Sequence, residues 1–243
     1  MKLISVLSLV LLLNHASAQT KPVVIVELFT SEGCSSCPPA DRLLAAAVEK
    51  NDNDVEVIGL SFHVDYWDYI GWKDPYASSE FTQRQRSYAR KFQSSQMYTP
   101  QMIVNGTHEF VGSDRKKLNS ALNKEKKKQS EVDFNIKVID RNKEQLVVTI
   151  SSNQKDKAIL NVVVVEKDLS QEVKRGENRG RTLKHDHVVR AFSSRQFDGQ
   201  THTFKLDLPE GLDISQSSLV VYAQKEDTWE VIDGQKLDLK LIN

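Results

Sequence analysis

The chain has 243 residues, 39% hydrophobic and 27% charged, with 33 basic against 33 acidic side chains. This is the composition of an ordinary soluble globular protein, long enough for one large domain or two of ordinary size. The charge balance leaves no overall field to attract nucleic acid or an anionic membrane, and no nucleic-acid partner is expected.

Residues 1–18 read as a signal peptide, with Lys2 as positive start, an apolar run from Leu3 to Leu13 and the small-residue site Ala16-Ser17-Ala18. The run is too short for a spanning helix, which takes roughly 20 residues. The expected product is therefore periplasmic or secreted, starts near Gln19 and does not span a membrane. Val23 to Phe29 then reads as a buried strand, Ser31-Glu32-Gly33 as a turn, and Pro38-Pro39 as the first turn of a helix continuing to Val48. A second buried strand runs from Val55 to Phe62, an aromatic loop from His63 to Pro75, and an amphipathic helix from Ser78 to Phe92. Thr99-Pro100 leads a hairpin that turns at Asn105-Gly106, and Ser113 or Asp114 caps a last helix to about Lys124.

Strand, helix, strand, helix and a Pro-led hairpin with a final helix form the thioredoxin arrangement. The first domain is accordingly expected over residues 19–128. From residue 129 to 243 the pattern changes to short alternating runs: 132–139, 145–150, 158–165, 201–208, 218–223 and 236–241. They predict a β-sandwich of immunoglobulin type. The expected fold is thus an α/β thioredoxin-like domain followed by an all-β sandwich.

Cys34 and Cys37 are the only cysteines, both in one short motif. A chain using disulfides as staples scatters them, and two intervening residues close too small a loop to restrain the unfolded state much. The pair therefore reads as chemistry. At a helix N-terminus, unpaired N–H groups and the helix dipole favour a thiolate. Cys34 is expected to be the exposed attacker and Cys37, one turn deeper, the residue that resolves the mixed disulfide.

Pro100 is expected to follow a cis bond and lie opposite the cysteines, with Thr99 presenting its backbone to a substrate peptide. Glu27, inside an apolar strand, reads either as a proton acceptor for Cys37 or as a structural ion pair. Glu32 and Asp41 read as helix-start acids. His63 can transfer a proton, bind a metal or be purely structural. Tyr66, Trp67 and Trp72, with Tyr69 among them, form either a substrate wall or loop packing. Arg175, Arg179, Arg181, Lys184 and Arg190 surround Gly176-Glu177-Asn178 without declaring a role.

The stretch Glu27-Leu28-Phe29-Thr30-Ser31-Glu32-Gly33-Cys34-Ser35-Ser36-Cys37-Pro38-Pro39-Ala40-Asp41 resembles the opening motif of a family of secreted, thioredoxin-like bacterial proteins of unknown function. Further matches are 62–68, 71–75, 98–102, and Gly176-Glu177-Asn178 with Gly180-Arg181-Thr182-Leu183. The resemblance implies a thioredoxin-like fold, redox activity, and a late motif lying near the cysteines, but no substrate.

The function expected is thiol–disulfide exchange on protein or peptide thiols, served by a separate redox partner and needing no cofactor or resident metal. Two alternatives stand beside it. One is a copper metallochaperone using Cys34, Cys37 and His63. The other is a non-catalytic binding module with a permanent disulfide.

Overall fold

A computed structural model describes residues 21–50, 54–128, 132–154 and 157–242. The expected signal peptide lies outside the described residues, as does the start of the expected second domain.

The first half follows the reading closely. Strand β1 (Val23–Thr30) leads to helix α1 (Pro38–Glu49) and strand β2 (Glu56–His63). The strands pair in parallel, with Thr30 opposite His63 at their C-terminal ends. The aromatic loop contains a 3-10 turn (Asp65–Ile70) and is followed by α2 (Ser79–Lys91), capped by Ser78. The hairpin β3 (Gln101–Val104) and β4 (His108–Val111) precedes α3 (Arg115–Glu125), whose cap is Asp114.

The second half adds β5 (Phe134–Arg141), β6 (Gln145–Ser152), β7 (Ala158–Glu166), β8 (Leu169–Glu172) and β9 (Thr182–His185). After them come β10 (Val188–Phe197), β11 (His202–Asp207), β12 (Ser217–Lys225) and β13 (Val231–Asp238). Among the described residues no helix is long and apolar enough to cross a membrane.

The two halves do not build the expected pair of folds. The described residues are 43% strand and 22% helix, and eight strands form one mixed sheet in the order β13-β12-β7-β10-β2-β1-β3-β4. An α/β thioredoxin-like domain followed by a separate sandwich is therefore corrected to one large sheet drawing strands from both halves. The junction is β10. Val188 pairs with Ser61 of β2, and the Ser61 amide donates to the His187 carbonyl at 2.8 Å. The edge of β2 that an isolated domain would leave unpaired is occupied there by the second half, satisfying backbone groups that would be costly to bury alone.

Alternation along the strands sorts the layers. Ile25 and Phe29 of β1, with Val163 and Val165 of β7 and Val220 and Tyr222 of β12, share one core under α2, which contributes Phe81 and Tyr88. This core runs across both halves. On the opposite face, Val24, Val26 and Leu28 pack against Ala40, Leu43 and Leu44 of α1 and Leu118 and Ala121 of α3. Further along that face, Leu160, Val162, Leu219 and Val221 meet Leu146, Val148 and Phe204 of a second, three-stranded sheet, β11-β6-β5. Each buried aliphatic side chain contributes about 1.5–3 kcal/mol relative to exposure, so the shared core binds the halves into one unit.

Candidate functional site

The parity of β1 decides which polar residues meet the cysteines. Even positions 24, 26 and 28 face α1, so Thr30 at the strand end does too; odd positions 25 and 29 face α2, and so does Glu27. Glu27 is accordingly held on the far side of the sheet from α1. Arg84 of α2 grips it through Nε to Oε2 at 2.6 Å and Nη2 to Oε1 at 2.9 Å, and the Tyr88 hydroxyl donates to Oε1 at 2.6 Å. Arg84 also reaches the Tyr222 hydroxyl at 2.8 Å and lies over the ring of Phe192 at 4.9 Å. Of the two readings of Glu27, the geometry matches the structural ion pair.

Cys34 and Cys37 form a disulfide, with Cα atoms 5.4 Å apart. Cys37 is the N-cap of α1 in helical conformation, its carbonyl accepting from the Ala40 and Asp41 amides. Pro38 and Pro39 open the helix where a missing N–H is harmless. The expectation of an exposed Cys34 is not met. Both cysteines have 0% of their surface exposed, while Ser35 and Ser36 between them are open to solvent.

The cover comes from two segments. One is the 3-10 turn: a Cβ on Gly33 would lie 3.0 Å from Ile70 Cδ1 and 3.1 Å from Trp67 Cβ, so a side chain there would press this turn back by a few tenths of an ångström. The other is a strap, residues 174–181, whose base is closed by reciprocal bonds between Val173 and residues 180 and 181. Asn178 is fully buried and its Nδ2 donates to the carbonyls of Glu32 at 2.8 Å and Cys34 at 3.0 Å. Glu177 accepts from the Ser35 amide at 3.0 Å and from the Ser35 hydroxyl at 2.6 Å. These bonds hold its carboxyl below the usual range. Gly176, at φ +77°, sits where a Cβ would come within 2.7 Å of Ile70, so strap and turn touch. The late sequence motif thus lies directly on the cysteine loop.

Thr99–Pro100 is cis, as expected. A Cβ on Gly112 would stand 3.0 Å from Pro100 Cβ and 3.1 Å from Ala40 Cβ, which places Pro100 beside the first turn of α1. The Thr99 hydroxyl accepts from Trp67 Nε1 at 2.8 Å, and Trp72 Nε1 donates to Glu32 Oε2 at 2.8 Å. Trp67 and Trp72 therefore tie loops around the disulfide, and the Tyr66 hydroxyl is buried. Tyr69 alone of this group is strongly exposed, at 82%.

Behind the disulfide lies a buried cluster only partly foreseen. His63 Nδ1 pairs with Asp74 Oδ2 at 2.7 Å, and the same oxygen accepts from the Glu32 amide at 2.8 Å. His185 Nε2 pairs with Glu32 Oε1 at 3.0 Å, and the two imidazoles are 5.0 Å apart between centroids. Asp41, within electrostatic reach of both rings, is partly exposed as a residue, but its Oδ1 is shielded from solvent. Burial pushes the Asp41 carboxyl up, only partly offset by His185, His63 and Thr30. Burial pulls His63 down, but Asp74, with Asp41 and Glu32, outweighs it and holds the ring protonated above its usual range. Burial likewise opposes ionisation of Asp74, and His63 reverses this, leaving it below the usual value. Of this cluster the sequence singled out His63 alone as chemically active. Asp41 was hidden as an apparent helix-start acid, and nothing local marks Asp74 or His185. Among the described residues no group of three or more His, Cys, Asp or Glu side chains is arranged to hold a metal ion.

Sheet and site together define a mixed-sheet protein with a covered disulfide at a helix N-terminus, backed by a buried acid–imidazole cluster. The chain belongs to the family described as Protein of unknown function (DUF1223), whose model matches residues 25–224. That bears out the resemblance to a family of unknown function. No curated protein matches the chain. A protein from Agrobacterium tumefaciens known by its crystal structure is similar in fold, with 30% identity over 90% of this chain and 96% of its own, at a TM-score of 0.68. A domain of the outer membrane lipoprotein Omp28 from Porphyromonas gingivalis has 12% identity over 47% of this chain and 89% of its own, at 0.29. The human F-spondin reeler domain has 8% over 45% and 91%, at 0.23. These last two likenesses are too weak to carry an argument.

Proposed function

We propose that the chain is an exported thiol–disulfide exchange protein whose redox centre is the Cys34–Cys37 pair, acting on a protein or peptide dithiol or disulfide. One observation carries the reading: the chain's only two cysteines close a bridge at the N-terminus of α1, around a loop too short to restrain the unfolded chain much. The α1 N-terminus favours a Cys34 thiolate as leaving group or attacker. Pro100 and Thr99 border the same helix end and offer the peptide-binding edge. Export rests on the sequence of residues 1–18, and it places the pair in an oxidising compartment where exchange has partners.

Because neither sulfur is exposed, exchange requires the strap to lift. Its outer bond, Glu177 to Ser35, is at the surface, and its inner bond, Asn178 to the Cys34 carbonyl, is buried. In the working cycle the partner displaces Asn178, its thiolate attacks Cys34 and expels Cys37, and the partner's second thiol resolves the mixed disulfide; in the opposite direction Cys34 attacks a partner disulfide and Cys37 resolves it.

The full burial of both cysteines also favours a second reading, a binding module with a permanent bridge. The test is turnover. The intact chain is expected to catalyse reduction of insulin by a small dithiol, or oxidation of a reduced peptide dithiol, and Cys34→Ser to abolish it while keeping the fold. Equal turnover by the variant, or a bridge that reacts with glutathione only when the chain unfolds, overturns the proposal; the latter result establishes the permanent bridge.

A further inference from the structure

One buried charged cluster leaves polar atoms without partners among the described residues. His63 Nε2 and His185 Nδ1 are shielded from solvent and bond to no other described group, and Thr30 Oγ1 and Asp41 Oδ1 are shielded with them, the Thr30 hydroxyl close enough to lower the Asp41 carboxyl. They come from four elements: the end of β1, α1, the end of β2 and the end of β9. One nitrogen of each ring is fixed by a carboxylate, His63 Nδ1 by Asp74 and His185 Nε2 by Glu32. Each imidazole is thus oriented, and its other nitrogen is shielded from solvent. Tyr76 closes one side, its ring 5.4 Å from His63 and 5.7 Å from His185, with the Arg190 guanidinium 5.3 Å beyond it. Burying unpaired polar atoms costs on the order of 1–3 kcal/mol each, so an arrangement kept at that cost invites a chemical reason.

The reason lies one helical turn away. Cys37 has helical backbone angles, φ −77° and ψ −40°, and Asp41 follows it by four residues, its amide donating to the Cys37 carbonyl at 3.1 Å. Residues four apart on a helix share a face, with Cβ atoms about 5–6 Å apart. Asp41 is therefore the titratable group of α1 nearest to Cys37 on its inward side.

We propose that Asp41, backed by His63 and His185, is the proton donor and acceptor of Cys37 during disulfide exchange. This rests on the thiol–disulfide reading and names the group that makes Cys37 a competent leaving group. A partner thiolate attacks Cys34 Sγ, the Cys34–Cys37 bond breaks, and its electron pair leaves on Cys37 Sγ. The Asp41 carboxyl gives that sulfur its proton and becomes a carboxylate facing the His63 imidazolium. The partner's second thiol, after losing its proton to solvent, attacks the partner sulfur of the mixed disulfide and releases Cys34 as a thiolate. The partner is oxidised to a disulfide, and the protein pair has gained two electrons. In the opposite direction the Asp41 carboxylate takes the Cys37 proton as that sulfur becomes the attacker. The raised Asp41 and His63 values fit this role, since the acid keeps a proton to give and the imidazolium stays to receive the new charge.

The test is made on the whole chain after reduction by a phosphine, so it does not depend on any physiological partner. Cysteine labelled at Cβ with carbon-13 reports the Cys37 titration by NMR. Two interacting groups titrate in coupled steps, so the intact protein is expected to show a lower step from Asp41 below the thiol step. Asp41→Asn is expected to erase the lower step and move the thiol step down, because a neighbouring negative charge is gone. In the oxidised protein the same substitution is expected to slow attack by glutathione thiolate on the order of 100-fold. A Cys37 curve unchanged by Asp41→Asn overturns the proposal, even if the protein catalyses exchange. A protein that fails to exchange but shows the coupled titration overturns the oxidoreductase reading and keeps the pairing. Should Asp41→Asn not fold, His63→Gln carries the test: the lower step is expected to move up, and a curve identical to that of the intact chain overturns the proposal.

Discussion

The protein buries two clusters of charged side chains on opposite faces of one sheet, and it completes them differently. Under α2, Arg84 and Glu27 meet in a two-bond fork, Tyr88 and Tyr222 take the remaining positions, and no buried side-chain atom of these four lacks a partner. Under α1, the acids and imidazoles behind the disulfide leave one nitrogen of His63 and one of His185 without a partner among the described residues. A closed network holds a single arrangement; an open one keeps protons that can move. The difference separates a cluster that fastens the two halves together from one placed for chemistry.

The largest expected effect tests the fastening cluster. Arg84→Ala leaves the Glu27 carboxylate buried without its cation and is expected to cost about 3–5 kcal/mol in urea unfolding. Refolded protein is expected to keep its normal bridge reactivity toward phosphine. A loss below 1 kcal/mol, or a changed reactivity, would break the contrast between the two clusters.

A pH series sharpens it. His63 is raised, so its stabilisation is complete below 6.5 and fades as pH rises through its folded value. Asp74 is lowered, so its share is present above 3.8 and fades as pH falls through its folded value. The stability gap between the intact chain and His63→Gln should therefore be widest between 3.8 and 6.5, at about 2 kcal/mol, and narrow on both sides. A gap independent of pH would mean that the pair carries no charge.

The smallest effect concerns the strap. Glu177→Ala removes the surface latch on Ser35 and is expected to speed phosphine attack on the bridge roughly threefold to tenfold, without altering the unfolding midpoint. The Glu177 carboxyl is held below 4.5, so the latch is present above that value and loosens as pH falls through the folded one. The intact chain should approach the variant's rate in acid. Equal rates throughout would show that the outer bond does not limit access.

Much of the first half was legible because its signals are local. Two prolines after Cys37, the β-branched run at Val23, Asn105-Gly106 and the capping Asp114 each act within a few residues, and the elements appear within a residue or two of the expected limits. The second half was less legible. Strands β8 and β9 are only four residues long and mostly polar, and in β10, the strand that joins the halves, Arg190 and the polar run from Ser193 to Gln196 break the pattern. Glu27 shows the same limit on a smaller scale. Its position in an apolar strand was plain, but its partner Arg84 is 57 residues away.

Sequence alone determined the disulfide motif, the helix behind it, the proline beside it and the family, since each depends on residue identity and short spacing. Only the tertiary structure decided that one sheet draws strands from both halves, that the strap at 174–181 closes over the cysteines, and that Asp41 lies within electrostatic reach of His63 and His185. Those outcomes depend on which strand edges pair and which faces meet across long separations. Backbone hydrogen bonding at an edge is indifferent to side-chain identity, so the choice is made by packing the entire chain at once.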